Sequence, residues 1–197
     1  MSRLLLILTA TLALAISAAA QATTWQIDPN HTAAQFSVRH LGISTVRGAF
    51  TKASGTVIYD PSDPGKTVID VTIDANSVDT RVQMRDNDLR SPNFFDVAKY
   101  PTLTFKSTHA EAAGSGRLKV TGDLTIHGVT KQVVLDIDGP SEPMKDPRDK
   151  WHMGASAGTK INRKDFGVNG NPTAVGDDIT ITIDVELVRT PPPSEVK

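Results

Sequence analysis

The sequence predicts an all-β fold, with about eight antiparallel strands around one core and a single short helical insert. Three observations lead there: period-two alternation of apolar and polar residues in several segments, glycine turns that join neighbouring segments, and one charge-dense stretch that breaks the alternation. The clearest alternation is ITITIDVEL, where Ile179, Ile181, Ile183, Val185 and Leu187 point one way and polar or acidic residues mostly point the other. The same pattern recurs at Ile69, Val71 and Ile73, at Leu103 and Phe105, and at Val133, Leu135 and Ile137. Each such strand has one wet face, as antiparallel sheets allow. Gly114 to Gly116 in AAGSGRLKV and Gly128 in IHGVTK mark two hairpins.

The exception is DTRVQMRDNDLRSPNFFDVAKYP, where Val82, Met84 and Leu89 fit no alternation and charges are dense. This predicts one short helix from Arg81 to Arg90. Ser91 before Pro92 then fits the N-cap of a second helical turn carrying Phe94 and Phe95. Such an insert suits the end of a barrel. Residues 139–150, rich in proline and charge, read as an exposed loop, and residues 191–197 as a flexible tail. Pattern alone is compatible with a sandwich or a closed barrel. A barrel of about eight strands has an interior that side chains fill or that holds one small ligand.

At the N-terminus, Arg3 precedes an apolar run from Leu4 to Ile16 and then the small residues SAAAQATT. That order predicts a secretory signal peptide over residues 1–22, cleaved after Ala22 in preference to Ala20. The run is shorter than the roughly 20 residues that span a bilayer, so no anchor and no stable membrane insertion are expected. Residues 23–190 remain as one domain. With no cysteine, neither a disulfide framework nor a thiol for lipidation is available. A formal net charge of −1, from 21 basic and 22 acidic residues, gives no bulk attraction to nucleic acid or to an anionic membrane.

Four blocks of the sequence carry a family resemblance. Trp25, Ile27, Asp28, His31, Thr32, Phe36, Val38, Arg39 and His40 match an opening W-x-I-D-x-x-H-[ST]-x-x-x-F-x-V-R-H. Arg85, Asp86, Asp88, Leu89, Ser91, Asn93, Phe94, Phe95, Asp96, Pro101 and Phe105 match a second block, with Asp88 where histidine is frequent. GDLTIHGVTKQVVLDI and INRKDFGVN…VGDDITITIDVEL complete the likeness. The chain resembles the YceI-like family of exported lipid-binding proteins. This resemblance implies an eight-stranded lipocalin-like barrel in the bacterial periplasm, enclosing a polyisoprenoid such as a prenyl phosphate or an isoprenoid quinone tail. It implies no known catalytic reaction and no cofactor besides the bound lipid, and it is compatible with a homodimer.

Within that frame Phe36, Val38, Leu103, Phe105, Val133 and Leu135 are candidates to face the lipid tail, since they alternate inward. Ordinary core packing accounts for any one of them equally well. Arg85, Asp86 and Arg90, with Arg81 nearby, are candidates for the head group, because a guanidinium fork suits a phosphate. A solvated helix face is the competing account. Arg39 and His40 fit either the head group or a pairing with Asp86 or Asp88. The five histidines, His31, His40, His109, His127 and His152, show no compact ligand spacing, so no metal site is expected. No G-x-S-x-G elbow supports hydrolysis. Two other functions stay open: an enzyme on an isoprenoid lipid using His31, His40 and Asp86 or Asp88, and a stress or adhesion protein whose barrel is solid.

Overall fold

The computed structural model describes residues 22–189. The expected leader, apart from Ala22, and the expected tail lie outside the described residues. Twelve strands are formed, all paired antiparallel: β1 (Thr23–Ile27), β2 (Ala33–His40), β3 (Ser44–Phe50), β4 (Ala53–Tyr59), β5 (Val68–Asp74), β6 (Val78–Asp79), β7 (Thr102–Ala112), β8 (Arg117–Ile126), β9 (Val129–Asp138), β10 (Met144–Lys145), β11 (Trp151–Asn162) and β12 (Val175–Arg189). Among the described residues there is one α-helix, α1 (Gln83–Arg90).

The count exceeds eight because three staves of the barrel are each broken once and the short β10 adds a twelfth strand beside β11. β1 pairs with β4 while β2 pairs with β3, and β3 in turn pairs with β6 while β4 pairs with β5. On the other side both β1 and β2 lie along β12, at Leu187 and Val188 for β1 and from Val175 to Asp184 for β2. The breaks have local causes. Pro29 cannot donate a ladder hydrogen bond, and Asp28 Oδ1 accepts from Asn30 N at 2.8 Å, turning the chain between β1 and β2. Asp74 does the same for Asn76 N in the 3₁₀ turn between β5 and β6. Eight staves result, and the ring closes where β11 meets β12 over twelve register pairs, from Trp151↔Arg189 to Asn162↔Asp178. Closure pairs β12 on both its sides, so this long strand offers no edge to another chain.

Both expected hairpins form. His127 and Gly128 link β8 to β9 with φ of 52° and 76°, the pair of positive values that a two-residue hairpin of matching twist requires. A Cβ on Gly128 would also run into the Tyr100 ring, a second reason for glycine at this position.

The insert departs from expectation in three respects. Arg81 has φ of +62°, outside the helical region, so α1 begins at Gln83 behind an extended Val82. Ser91 does not start a second helix; it ends α1, its N–H and its hydroxyl both donating to Asp88 O (3.0 and 2.7 Å). Residues 92–100 then run as turns, with Asp96 at φ of +45°. The loop at 139–150 carries β10, which pairs with the start of β11.

The core is distributed along the barrel. Phe50, Val78, Phe94, Phe166 and Val168 pack at the insert end, Phe105, Val120, Leu135 and Ile137 in the middle, and Trp25, Ile27, Met153 and Leu187 at the far end. Arg163, only 4% exposed, fixes the insert end. Its guanidinium donates to the carbonyls of Gly176, Val168, Gly170 and Val175 at 2.8–3.0 Å, holding the β11–β12 connection as one unit. Burial pushes its pKa down and Asp177 pulls it back up. Replacing it by an apolar isostere, Arg163→Met, strands those carbonyls without donors; we expect a loss of about 3 kcal/mol, read as a lower urea midpoint.

Candidate functional site

The barrel encloses a cavity of about 250 Å³. Its wall receives side chains from every stave, because inward and outward residues alternate along each strand. Phe36 and Val38 reach it from β2, Leu103 and Phe105 from β7, and Val133 and Leu135 from β9. Sequence reasoning missed much of the rest. Ile179, Ile181, Ile183, Val185 and Leu187 of β12 all line the cavity, as do Ala155, Ala157 and Ile161 of β11. The β12 set carried the strongest alternation in the chain, a signal sufficient to include it. Leu89, Phe94 and Phe95 close the insert end, with Phe50 packed edge-on against Phe95.

The wall is almost free of groups that titrate. Tyr59 and Arg163 are the titratable residues on it; burial pushes the Tyr59 phenol up, and Arg163 is committed to carbonyls. The volume falls just below the range of roughly 300–1,000 Å³ usual for small-molecule sites.

The residues considered for a head group do not line the cavity. Two of them meet at Thr80, and Arg90 binds the chain just before it. Asp86 is buried and accepts from Thr80 N at 2.8 Å and from its hydroxyl at 2.5 Å. Arg85 donates to Thr80 Oγ1 and O (2.8 and 3.0 Å), and Arg90 donates to the carbonyls of Asn76 and Val78 (2.9 and 2.6 Å). These charges clamp the insert onto the irregular stretch between β5 and α1. Arg39 is exposed and donates to Thr45 Oγ1 and Gly42 O, which corrects the expected pairing with Asp86 or Asp88. Asp88 instead accepts from Asn93 Nδ2 at 3.0 Å. His40 is half-buried at the end of β2, opposite Ser44 and beside Val175.

A second constellation lies outside the wall at the far end. His152 and Glu186 face outward between the inward Met153 and Leu187, and His152 Nδ1 stands 2.7 Å from Glu186 Oε1. On the other side of Glu186, His31 Nδ1 lies 4.0 Å from Oε2 and 2.9 Å from Asp28 Oδ2. The hydrogen bond with His31 holds the Asp28 carboxyl below its ordinary pKa and raises that of His31. The bond to Glu186 raises His152, and backbone N–H groups, that of Lys150 first, lower Asp146. No spacing along the chain announces this cluster, because cross-strand pairing and the β1–β2 turn assemble it.

A closed antiparallel barrel with an apolar interior defines the class of cavity-bearing β-barrels. The chain belongs to the YceI-like family: the YceI-like domain model matches residues 25–187. It is 36% identical to a UPF0312 protein of Pectobacterium atrosepticum over 96% of this chain and 98% of that one. It is 37% identical to Protein YceI of Salmonella arizonae, covering 86% and 89% respectively. Among solved structures, the Campylobacter jejuni YceI protein superposes with a TM-score of 0.68 at 37% identity, covering 78% of this chain and 90% of that one. The fold is shared with a polyisoprenoid binding domain from Saccharophagus degradans, at a TM-score of 0.61 and 14% identity, covering 85% and 98%. Among the described residues no helix is long and apolar enough to cross a membrane.

The clamp makes a specific expectation about the insert. Asp86→Ala leaves the buried Thr80 N–H and hydroxyl without their acceptor and should cost about 1–3 kcal/mol, measured by urea denaturation. The same variant should speed hydrogen exchange across residues 83–97, since Asp86 is the buried polar anchor of α1.

Proposed function

We propose that this protein is an exported, non-catalytic container for a polyisoprenoid lipid, holding the tail inside the barrel for storage or transport across an aqueous compartment. The single observation that carries this is the enclosed cavity whose wall is apolar on every stave. An isoprenoid tail gains roughly 0.8 kcal/mol per buried methylene, and a wall dominated by aliphatic and phenylalanine side chains accepts a flexible branched chain. The relative from Saccharophagus degradans, a polyisoprenoid binding domain, supports the ligand class through the shared fold. The leader-like residues 1–22 support export to the periplasm. Binding is favoured over catalysis because no histidine, carboxylate or lysine is among the lining residues, so an acid–base pair has no place beside the tail.

The head group is assigned to the insert end, outside the apolar wall. There Arg39 is exposed and His40 half-buried, while Arg85, Asp86 and Arg90 act by holding the insert in place. A homodimer is compatible with this arrangement, and the lipid is the only ligand the cavity calls for.

Organic extraction of protein purified from its native periplasm, followed by mass spectrometry, should release a prenyl lipid in a near-stoichiometric amount. Repeated absence of any such lipid, together with no uptake of added prenyl phosphate or quinone, would overturn the proposal. Ala157 offers a direct steric test, since it is small and lines the cavity. Ala157→Phe fills part of the space without adding charge; we expect about a tenfold loss of lipid affinity or more with the thermal midpoint held or raised.

A further inference from the structure

The outer cluster at the far end of the barrel has no part in the lipid cavity, and its geometry points to a use of its own. We propose that Asp28, His31 and Glu186 form a binding site for a zinc-class divalent cation on the outer face of the barrel. One oxygen of Asp28, Nδ1 of His31 and one oxygen of Glu186 lie within 4.8 Å of one another. Zinc bonds of about 2.0–2.1 Å in tetrahedral array set donor separations of roughly 3.3 Å. The separations of 2.9 Å between His31 and Asp28 and 4.0 Å between His31 and Glu186 straddle that value. The His31 ring is 64% exposed and sits in a turn, so the small adjustment that equalises them meets no packing.

The three donors are also tied to one another through the backbone. Asp28 N donates to Glu186 O at 2.9 Å, Glu186 N donates to Thr32 Oγ1 at 3.3 Å, and Asp28 Oδ1 is fixed by Asn30 N. Behind the donors stands a supporting shell of the kind that orients metal ligands. Glu186 Oε1 pairs with His152 Nδ1 at 2.7 Å. The buried His152 Nε2 lies 3.3 Å from Asp146 Oδ2. Asp146 Oδ1 accepts from the N–H groups of Arg148 and Lys150 at 2.8 and 2.9 Å. A turn stapled by an ion pair needs one histidine; here two converge on one carboxylate.

Charge points the same way. The depression beside the cluster is lined by Asp138, Asp146, Asp184 and Glu186, with no lysine or arginine among its lining residues. The imidazole donor selects zinc and its first-row neighbours over calcium and magnesium, which take oxygen ligands. Three protein donors leave a position for water or an exogenous ligand.

The test is independent of the lipid, because none of the three donors lines the cavity. The purified full-length product, stripped with a chelator and dialysed against zinc chloride, should take up one zinc per chain. His31→Ala and Asp28→Asn should each weaken uptake at least about 100-fold, and His152→Phe about 10-fold, with circular dichroism unchanged. His109→Ala, an exposed histidine elsewhere, should leave it untouched. Cobalt substituted for zinc should show visible d–d bands that vanish in His31→Ala. No zinc retained at micromolar concentration, or uptake undiminished in both His31→Ala and Asp28→Asn, would overturn the site.

Discussion

Everything in this molecule depends on the pairing of β11 with β12. Twelve consecutive register pairs join the last two long strands and turn an open sheet into a ring. Without that seam the apolar faces of eight staves would have nothing to enclose. The seam also explains the weight placed on Arg163. The connection between β11 and β12 is irregular and sits at the barrel end, so its carbonyls point where no ladder can satisfy them. One buried guanidinium meets two of them, at Val168 and Gly170, together with the carbonyls of Val175 and Gly176 at the start of β12, as buried polar groups demand.

The insert follows the same rule by different means. A charge-dense helix on a barrel end looks like a solvated face, yet its charges turn toward the chain. Asp86 goes inside to meet Thr80, while Arg85 and Arg90 reach back to the carbonyls of Thr80 and Val78, just after and within the short β6. Leu89, Phe94 and Phe95 are thereby presented to the interior. Charge on the outside of the insert and hydrophobicity on its inside are two parts of one attachment.

How much of this was legible in the sequence varied with the range of the interactions. β12 was plain, because five apolar residues at period two leave little choice of face. The hairpin at Gly128 was plain because its backbone needs residues that accept positive φ. The breaks in three staves were not, since each rests on a side-chain oxygen of Asp28 or Asp74 or on a short unpaired step, and aspartates of that kind are common. The role of Asp86 was hidden for another reason: its partner Thr80 has no mark in the pattern, and burial of a carboxylate is decided by the acceptor-hungry turn around it. The cluster at Glu186 was furthest from view. His31 and His152 lie on different staves and meet only after the ring has closed.

The alternation along β12 has one more consequence. Glu186 faces water, while its immediate neighbours Val185 and Leu187 face the cavity. The barrel wall is a single peptide thick, so whatever grips the carboxylate outside is separated from the contents by one backbone step. A stave of this kind cannot move on one face alone; inside and outside share the same lever.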